Sequence, residues 1–367
     1  MTGKIVVFGA TGYAGELAVR SLVARGVRPV VAGKTEARVR AAADRLGGLD
    51  HLLADASDVA SLRALVEPGD VLVTTVGPFD QIGLNAAQAA ADQGAHYLDS
   101  TGEVGFVRAL QERHDARARA TRATMLPAFG NDYVPGFLAG AVALERAGEE
   151  ASSLDVGYFI DGSLRGGKGL SHGTRTTVVD GLTLPVTLWQ DRALVDRRAA
   201  AKVRTFRVNG RRKAAVLATG TEVLMLPREF PQLEHVTVYN GWFPATARVL
   251  PAVTAVVSAA SRSERGARAV HRLLARTVGP SGGPDAAERA RTGAHTVAIA
   301  RDAGGRALSE IHVVGPNVYE LTAELMAWAG IELAHGRTHA AGVLSPTEAF
   351  GLDTLTRACA DIGLVVA

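Results

Sequence analysis

Cysteine is almost missing from this chain: Cys359 is the only one in 367 residues. That excludes an intrachain disulfide and a cysteine-based zinc site. Its setting, Leu355–Leu364, has the spacing of an apolar helix face, so a buried structural thiol is expected. Long hydrophobic runs are lacking too. No stretch approaches ~18 uninterrupted apolar residues, so no membrane span is expected. The first strand begins within a few residues of Met1, so no signal peptide is expected. A cytoplasmic location fits these readings. Aromatic residues make up only 5% and the net charge is a modest +3. The basic residues are scattered over helical surface (Arg38, Arg40, Arg45; Arg117, Arg119, Arg122) and form no basic stripe with interleaved aromatics, so no nucleic-acid partner is expected. The histidines are dispersed as well. Only His335 and His339 stand at i,i+4, with Gly336 between them and no carboxylate to complete a site, so no metal is expected.

What is present starts at Lys4–Gly26. Ile5–Phe8 is a short apolar run suited to a buried parallel strand. Gly9, Gly12 and Gly15 follow at intervals of three, and Leu17, Val19, Leu22 and Val23 recur with helical spacing. Strand, glycine-rich turn and helix together make a diphosphate site: the glycines permit a tight turn and close backbone approach, and the helix start offers unpaired N–H groups. The turn is GxxGxxG, a variant of the usual GxGxxG. Short-chain dehydrogenases share it but require Tyr followed four residues later by Lys. Here Tyr13, Tyr97, Tyr133, Tyr158, Tyr239 and Tyr319 are followed at that spacing by Leu, Thr, Phe, Gly, Phe and Ala, which argues against that chemistry.

Five further strands alternate with helices: Pro29–Ala32, Leu49–Ala54, Val71–Val76, His96–Leu98 and Thr124–Phe129, with helices over Glu36–Leu46, Val59–Val66, Ile82–Gln93 and Val104–Ala118. This is the rhythm of an N-terminal Rossmann doubly wound parallel sheet, residues 1–134. After Pro135 the pattern changes to a mixed α+β domain, residues 135–344. Strand candidates are Leu154–Ile160, Leu184–Leu188, Thr205–Val208 and Val236–Tyr239. Ala294–Ala300 and Leu308–Val314 flank the turn Asp302–Arg306 as a hairpin. Ser171–Gly181 reads as a helix capped by Ser171, and Val318–Ala334 as an amphipathic helix. Gly162–Gly169 is a glycine-rich loop and Pro280–Pro284 the most linker-like stretch. Residues 345–367 hold a closing helix, Leu352–Ile362, that can pack back on the Rossmann domain.

Ligands of open α/β sheets lie beyond the carboxyl ends of the strands, so the strand ends name the candidates. Gly9, Thr11, Gly12, Tyr13 and Gly15 form the first turn. The second strand ends without Asp or Glu; it offers Lys34, Thr35 and Arg38, a set that favours NADP(H) over NAD(H). Asp55 ends the third strand and can accept from an adenine amino group. Thr75, Gly77, Pro78 and Phe79 end the fourth, beside the ribose and nicotinamide. Asp99, Ser100 and Thr101 end the fifth and open at the nicotinamide end. For a proton donor, Tyr133 is the first candidate, with Asp132 beside it and Tyr97 and His172 in reserve. Arg165, Lys168 and Arg175 are the cations available to a polycarboxylate substrate. Phe159, Trp189, Tyr239, Trp242, Phe243 and Trp328 suit a bulky apolar small molecule instead.

GATGYAG, VVAGKTEARV, GDVLVTTVGPF, GAHYLDSTGE, GNDYVPG, SHGTRTTVVDG and SPTEAFGLD, in this order, resemble the saccharopine dehydrogenase-like superfamily, and within it the trans-acting enoyl reductase branch. The resemblance implies a nicotinamide-binding Rossmann domain and a mixed α/β domain that closes over substrate. It implies reduction of a conjugated C=C on polyketide-type substrates by NADPH, with imine reduction as the alternative; a non-catalytic NADP redox sensor, a use some Rossmann proteins serve, is a second alternative. In this sequence Gly33-Lys34 stands where relatives commonly carry Gly-Arg, which keeps the cation but loses the bidentate fork. An edge-exposed antiparallel sheet in the second domain would suit a homodimer.

Overall fold

The computed structural model describes residues 3–162, 169–275 and 282–367. Contacts divide the chain into two units, Met1–Val134 with Val318–Leu364, and Pro135–Asn317 with Val365–Ala367.

The first unit begins with β1 (Ile5–Phe8), β2 (Val30–Gly33), β3 (His51–Leu53), β4 (Val71–Thr74), β5 (His96–Asp99) and β6 (Thr124–Leu126). They form a parallel sheet in the order β6-β5-β4-β1-β2-β3, with α1 (Tyr13–Ala24), α2 (Glu36–Arg45), α3 (Val59–Arg63), α4 (Leu84–Gln93) and α5 (Val104–Thr121) between them. Every residue of β1 and β4 is buried, as expected of parallel strands covered on both faces. Val7 stands between Val31 and Val73 in register. The strand order reverses between β1 and β4, so the loops after these two strands diverge and leave a crevice at the sheet's carboxyl edge. The six strands and their helices follow the sequence reading to within a few residues.

The second unit runs through α6 (Val134–Ala147), β7 (Ser153–Gly162), α7 (His172–Asp180), β8 (Pro185–Gln190), β9 (Ala193–Arg198), β10 (Val203–Val208) and β11 (Arg211–Ala218). It continues with α8 (Glu222–Glu229), β12 (His235–Asn240), α9 (Leu250–Ala260), α10 (Glu264–Ala275), α11 (Ala286–Arg289), β13 (Thr292–Arg301) and β14 (Ala307–Gly315). Its sheet is mixed: β7 runs parallel to β12 and antiparallel to β13. The expected hairpin is β13–β14, closed by Asp302, whose N–H donates to the Arg306 carbonyl at 3.1 Å. Phe159, Phe206, Tyr239, Val297 and Ile299 bury one face of the sheet. Ser171 caps α7, its hydroxyl accepting from the Thr174 N–H at 3.2 Å. In the expected glycine-rich and linker-like segments, residues 163–168 and 280–281 lie outside the described residues, Arg165 and Lys168 among them.

The chain then adds α12 (Val318–Ala334), β15 (Gly342–Val343), α13 (Pro346–Phe350), α14 (Leu352–Asp361) and β16 (Val365–Val366). β15 extends the first sheet beside β6. The α12 helix packs on α1 and over β1, β4 and β5. Glu324 fixes it to α1, accepting from the Ser21 hydroxyl at 2.7 Å and pairing with Arg25 at 2.6 Å. The division read from the sequence carries the second domain to residue 344, whereas contacts group 318–364 with the first unit. Cys359 is fully buried in α14, and that burial pushes its thiol up to about 12.

Candidate cofactor site

The turn after β1 is built by three glycines with different duties. Gly9 has φ +95°, and a Cβ there would lie 2.7 Å from Thr75 Oγ1. A Cβ on Gly15 would lie 2.3 Å from the Gly9 carbonyl oxygen, so α1 rests directly on the turn. Gly12 is the exposed N-cap of α1 and makes no side-chain cap. The first N–H groups of the helix have no acceptor within it, and the positive dipole end faces the same way. Thr11 is exposed and Tyr13 half-buried, its ring edge-on to Tyr319 at 5.2 Å. Thr75 donates to the Gly9 carbonyl at 3.3 Å, which ties β4's end to the turn.

Beyond β2, Lys34, Thr35 and Arg38 are all exposed. Thr35 is the N-cap of α2 and makes no side-chain cap bond. Glu36, the carboxylate nearest this set in sequence, pairs with Arg40 at 3.0 Å. Lys34 Nζ lies 2.8 Å from Asp55 Oδ2. The Lys34 ammonium, with the Ser57 N–H and hydroxyl, holds the Asp55 carboxyl well below the usual carboxylate range. The expected adenine acceptor is therefore ion-paired.

At the ends of β4 and β5 the structure separates exposed from buried candidates. Gly77 and Pro78 are exposed, but Phe79 is buried against Phe106 at 5.5 Å. The Phe79 and Asp80 N–H groups donate to Glu103 at 3.0 and 2.8 Å. Glu103 thus joins the β4 loop to the start of α5, a role its place in a polar loop did not announce. Asp99 is fully buried. Its Oδ1 accepts from the Thr101 N–H at 2.8 Å and the Ala128 N–H at 2.9 Å. Burial raises its carboxyl to about 6 against these two bonds. Asp99 organises the strand-end loops from inside, and Thr101 is buried with it while Ser100 is half-buried. Tyr97 is fully buried, close enough to Asp99 for that charge to add to burial in raising its phenol.

After β6, the Asn131 N–H donates to Thr322 Oγ1 of α12 at 3.0 Å, a contact between distant segments with no sequence signal. Tyr133 is 1% exposed, with its hydroxyl buried. Asp132 is reached by solvent yet surrounded by protein, and desolvation raises its carboxyl pKa against a hydrogen bond from Asn131 at 3.1 Å. A Cβ on Gly102 would lie 3.5 Å from Asp132 Oδ2, placing that carboxylate beside the β5 loop. His172 is exposed on the first turn of α7, in the second unit. Of the four proton-donor candidates, only Asp132 and His172 are open to solvent.

Residues 5–126 match the family model described as the saccharopine dehydrogenase NADP binding domain. This segment is similar to the NADP-binding domain of saccharopine dehydrogenases. The chain is 36% identical over 155 residues to a trans-acting enoyl reductase of Mycobacterium ulcerans (strain Agy99), 41% of this chain and 37% of that one. It is 36% identical over 140 residues to a trans-acting enoyl reductase of Mycobacterium leprae (strain TN), 36% of this chain and 34% of that one. The matched segments therefore span little more than a third of these relatives. In fold, the chain resembles apo saccharopine dehydrogenase (L-Glu forming) from Saccharomyces cerevisiae, with a TM-score of 0.64 at 13% identity over 100% of this chain and 99% of that one. The residues of this segment fit that cofactor: an uncapped helix start behind an exposed glycine would receive a diphosphate, and the exposed Lys34, Thr35 and Arg38 would meet a 2′-phosphate.

Among the described residues no group of three His, Cys, Asp or Glu side chains could hold a metal ion, and no helix is long and apolar enough to cross a membrane.

Proposed function

We propose that the protein is an NADPH-dependent reductase that delivers hydride to a conjugated C=C, of the enoyl or enone type, in a bulky and largely apolar metabolite. The observation that carries the reading is the exposed glycine turn flanked by Lys34, Thr35 and Arg38 within an NADP-binding domain. The names of the similar mycobacterial proteins support the C=C assignment. The aromatic side chains lend it little support: Phe159, Tyr239 and Trp242 are buried, Trp189 donates to the Leu233 carbonyl and Trp328 packs on Phe129 and Phe350. Phe243 alone of that set is exposed.

NADPH supplies the hydride when bound. Lys34, Thr35 and Arg38 hold its 2′-phosphate, and the start of α1 holds its diphosphate. Hydride arriving at the β-carbon leaves an enolate that needs a proton. We assign that proton to Asp132, the candidate of the first unit whose carboxyl is open to solvent beside the β5 loop; Tyr133 and Tyr97, with buried hydroxyls, are packing residues on this reading. A soluble homodimer in the cytoplasm belongs to the same proposal, and light scattering of the purified chain tests its oligomeric part. The functional test is NADPH oxidation with a panel of enones, enoyl thioesters and imines. Turnover confined to imines replaces the C=C assignment, and tight NADPH binding with no turnover on any of them supports a redox sensor instead.

A further inference from the structure

Lys34 and Asp55 form an ion pair at the edge of the NADP-binding domain, and its two members differ in freedom. Asp55 is fixed: its Oδ1 accepts from the Ser57 N–H at 3.0 Å and the Ser57 hydroxyl at 2.8 Å. Its own N–H donates to Ser61 Oγ at 3.0 Å. The Lys34 side chain is 73% exposed against 35% for Asp55, and its ammonium rides on a flexible four-carbon stem. The carboxylate is thus a stationary anion and the lysine the movable partner. Arg38 has no ion pair among the described residues, while Glu36 is engaged by Arg40.

We propose that Asp55 sets cofactor specificity through Lys34: it holds the ammonium in the free protein, and Lys34 passes from Asp55 to the 2′-phosphate when NADPH binds. This inference rests on the reading of Lys34 as a 2′-phosphate ligand. An incoming 2′-phosphate dianion has to compete with Asp55 for the ammonium and also meets a fixed like charge beside it. Both effects oppose NADPH. NADH has no 2′-phosphate, leaves the pair intact and is indifferent to the charge on Asp55. The carboxylate therefore reduces the preference for NADPH that Lys34 and Arg38 create, and keeps NADH within reach. A direct adenine contact by Asp55 would act on both cofactors alike, because the adenine is common to them.

Calorimetric titration of the full chain with NADPH and with NADH separates these roles, using wild type, Asp55→Asn, Lys34→Ala and the double variant. Asp55→Asn is expected to tighten NADPH about two- to fivefold, the range an exposed ion pair supports, with NADH unchanged. The gain should fade at about 0.5 M salt, where exposed charges are screened within a few ångströms, and should shrink in the Lys34→Ala background. Equal weakening of both cofactors assigns Asp55 to the adenine and overturns the inference; so does an unchanged affinity for both. If wild type binds NADH as tightly as NADPH and Lys34→Ala alters neither, the 2′-phosphate reading falls and takes this inference with it.

Discussion

Replacing Asp99 by asparagine removes a buried charge and keeps the acceptor that the strand-end loops use. Asp99 Oδ1 takes the Thr101 and Ala128 N–H groups, and an asparagine carbonyl can take both. Burial lifts the carboxyl from 3.8 to about 6 even with these bonds opposing it. The folded chain therefore binds this proton more tightly than the unfolded chain does. Stability from protonation is fully present below about pH 4 and is lost as pH rises through about 6. The shift corresponds to about 3 kcal/mol carried against folding above that range. Urea denaturation followed by circular dichroism, at intervals from pH 4.5 to 8, measures it. The Asp99→Asn midpoint should approach that of wild type at the acid end and exceed it increasingly through pH 6, levelling off above pH 7. A difference that does not vary with pH, or a variant that loses stability relative to wild type as pH rises, would refute the reasoning: the carboxylate would then be stabilised as a charge.

Lys34→Glu removes an attraction to the 2′-phosphate and adds a repulsion. It should weaken NADPH by about 2 kcal/mol while NADH changes little; equal loss of both in a fluorescence titration would remove Lys34 from the phosphate site. Gly15→Ala forces a methyl to within 2.3 Å of the Gly9 carbonyl oxygen. It should cost about 1–3 kcal/mol of stability and abolish cofactor binding, and a variant that melts and binds like wild type would mean that α1 does not rest on the turn as described. Tyr133→Phe should keep near-normal turnover and Asp132→Asn should lose about 100-fold or more, the scale of general-acid catalysis. The reverse pattern in kcat, with cofactor affinity checked separately, returns the donor role to Tyr133.

The first sheet was legible because its local signals agree. Apolar runs of strand length alternate with helical spacing, and Gly9, Gly12 and Gly15 fall where a turn, an open N-cap and a close helix contact need them. Lys34 and Thr35 were legible for a similar reason, since a strand end fixes where its next two residues lie. Side-chain direction was not. Asp99, Thr101 and Phe79 stand at or just beyond strand ends that composition marks as polar and ligand-facing, yet they turn inward, as does Tyr97 within β5, and no period distinguishes the two faces of the irregular loops that follow. Long-range pairing was equally silent: Glu103 with the Phe79 and Asp80 amides, Asn131 with Thr322, and α12 with α1. The α12 helix has buried residues around most of its circumference, which signals a covered helix without saying what covers it. In the second unit, β9, β11 and α8–α11 escaped the sequence reading because their strands are charged or short of alternation and Pro227 stands inside α8.

The most direct test of the central claim follows deuteride. NADPH labelled with deuterium at the transferable position of nicotinamide C4 is incubated with the full chain and a panel of α,β-unsaturated ketones and enoyl thioesters, and the products are analysed by mass spectrometry and NMR. A saturated product carrying one deuterium on the β-carbon, formed faster with NADPH than with NADH, is the predicted result. Tight binding of NADPH without deuterium transfer to any C=C substrate would contradict it.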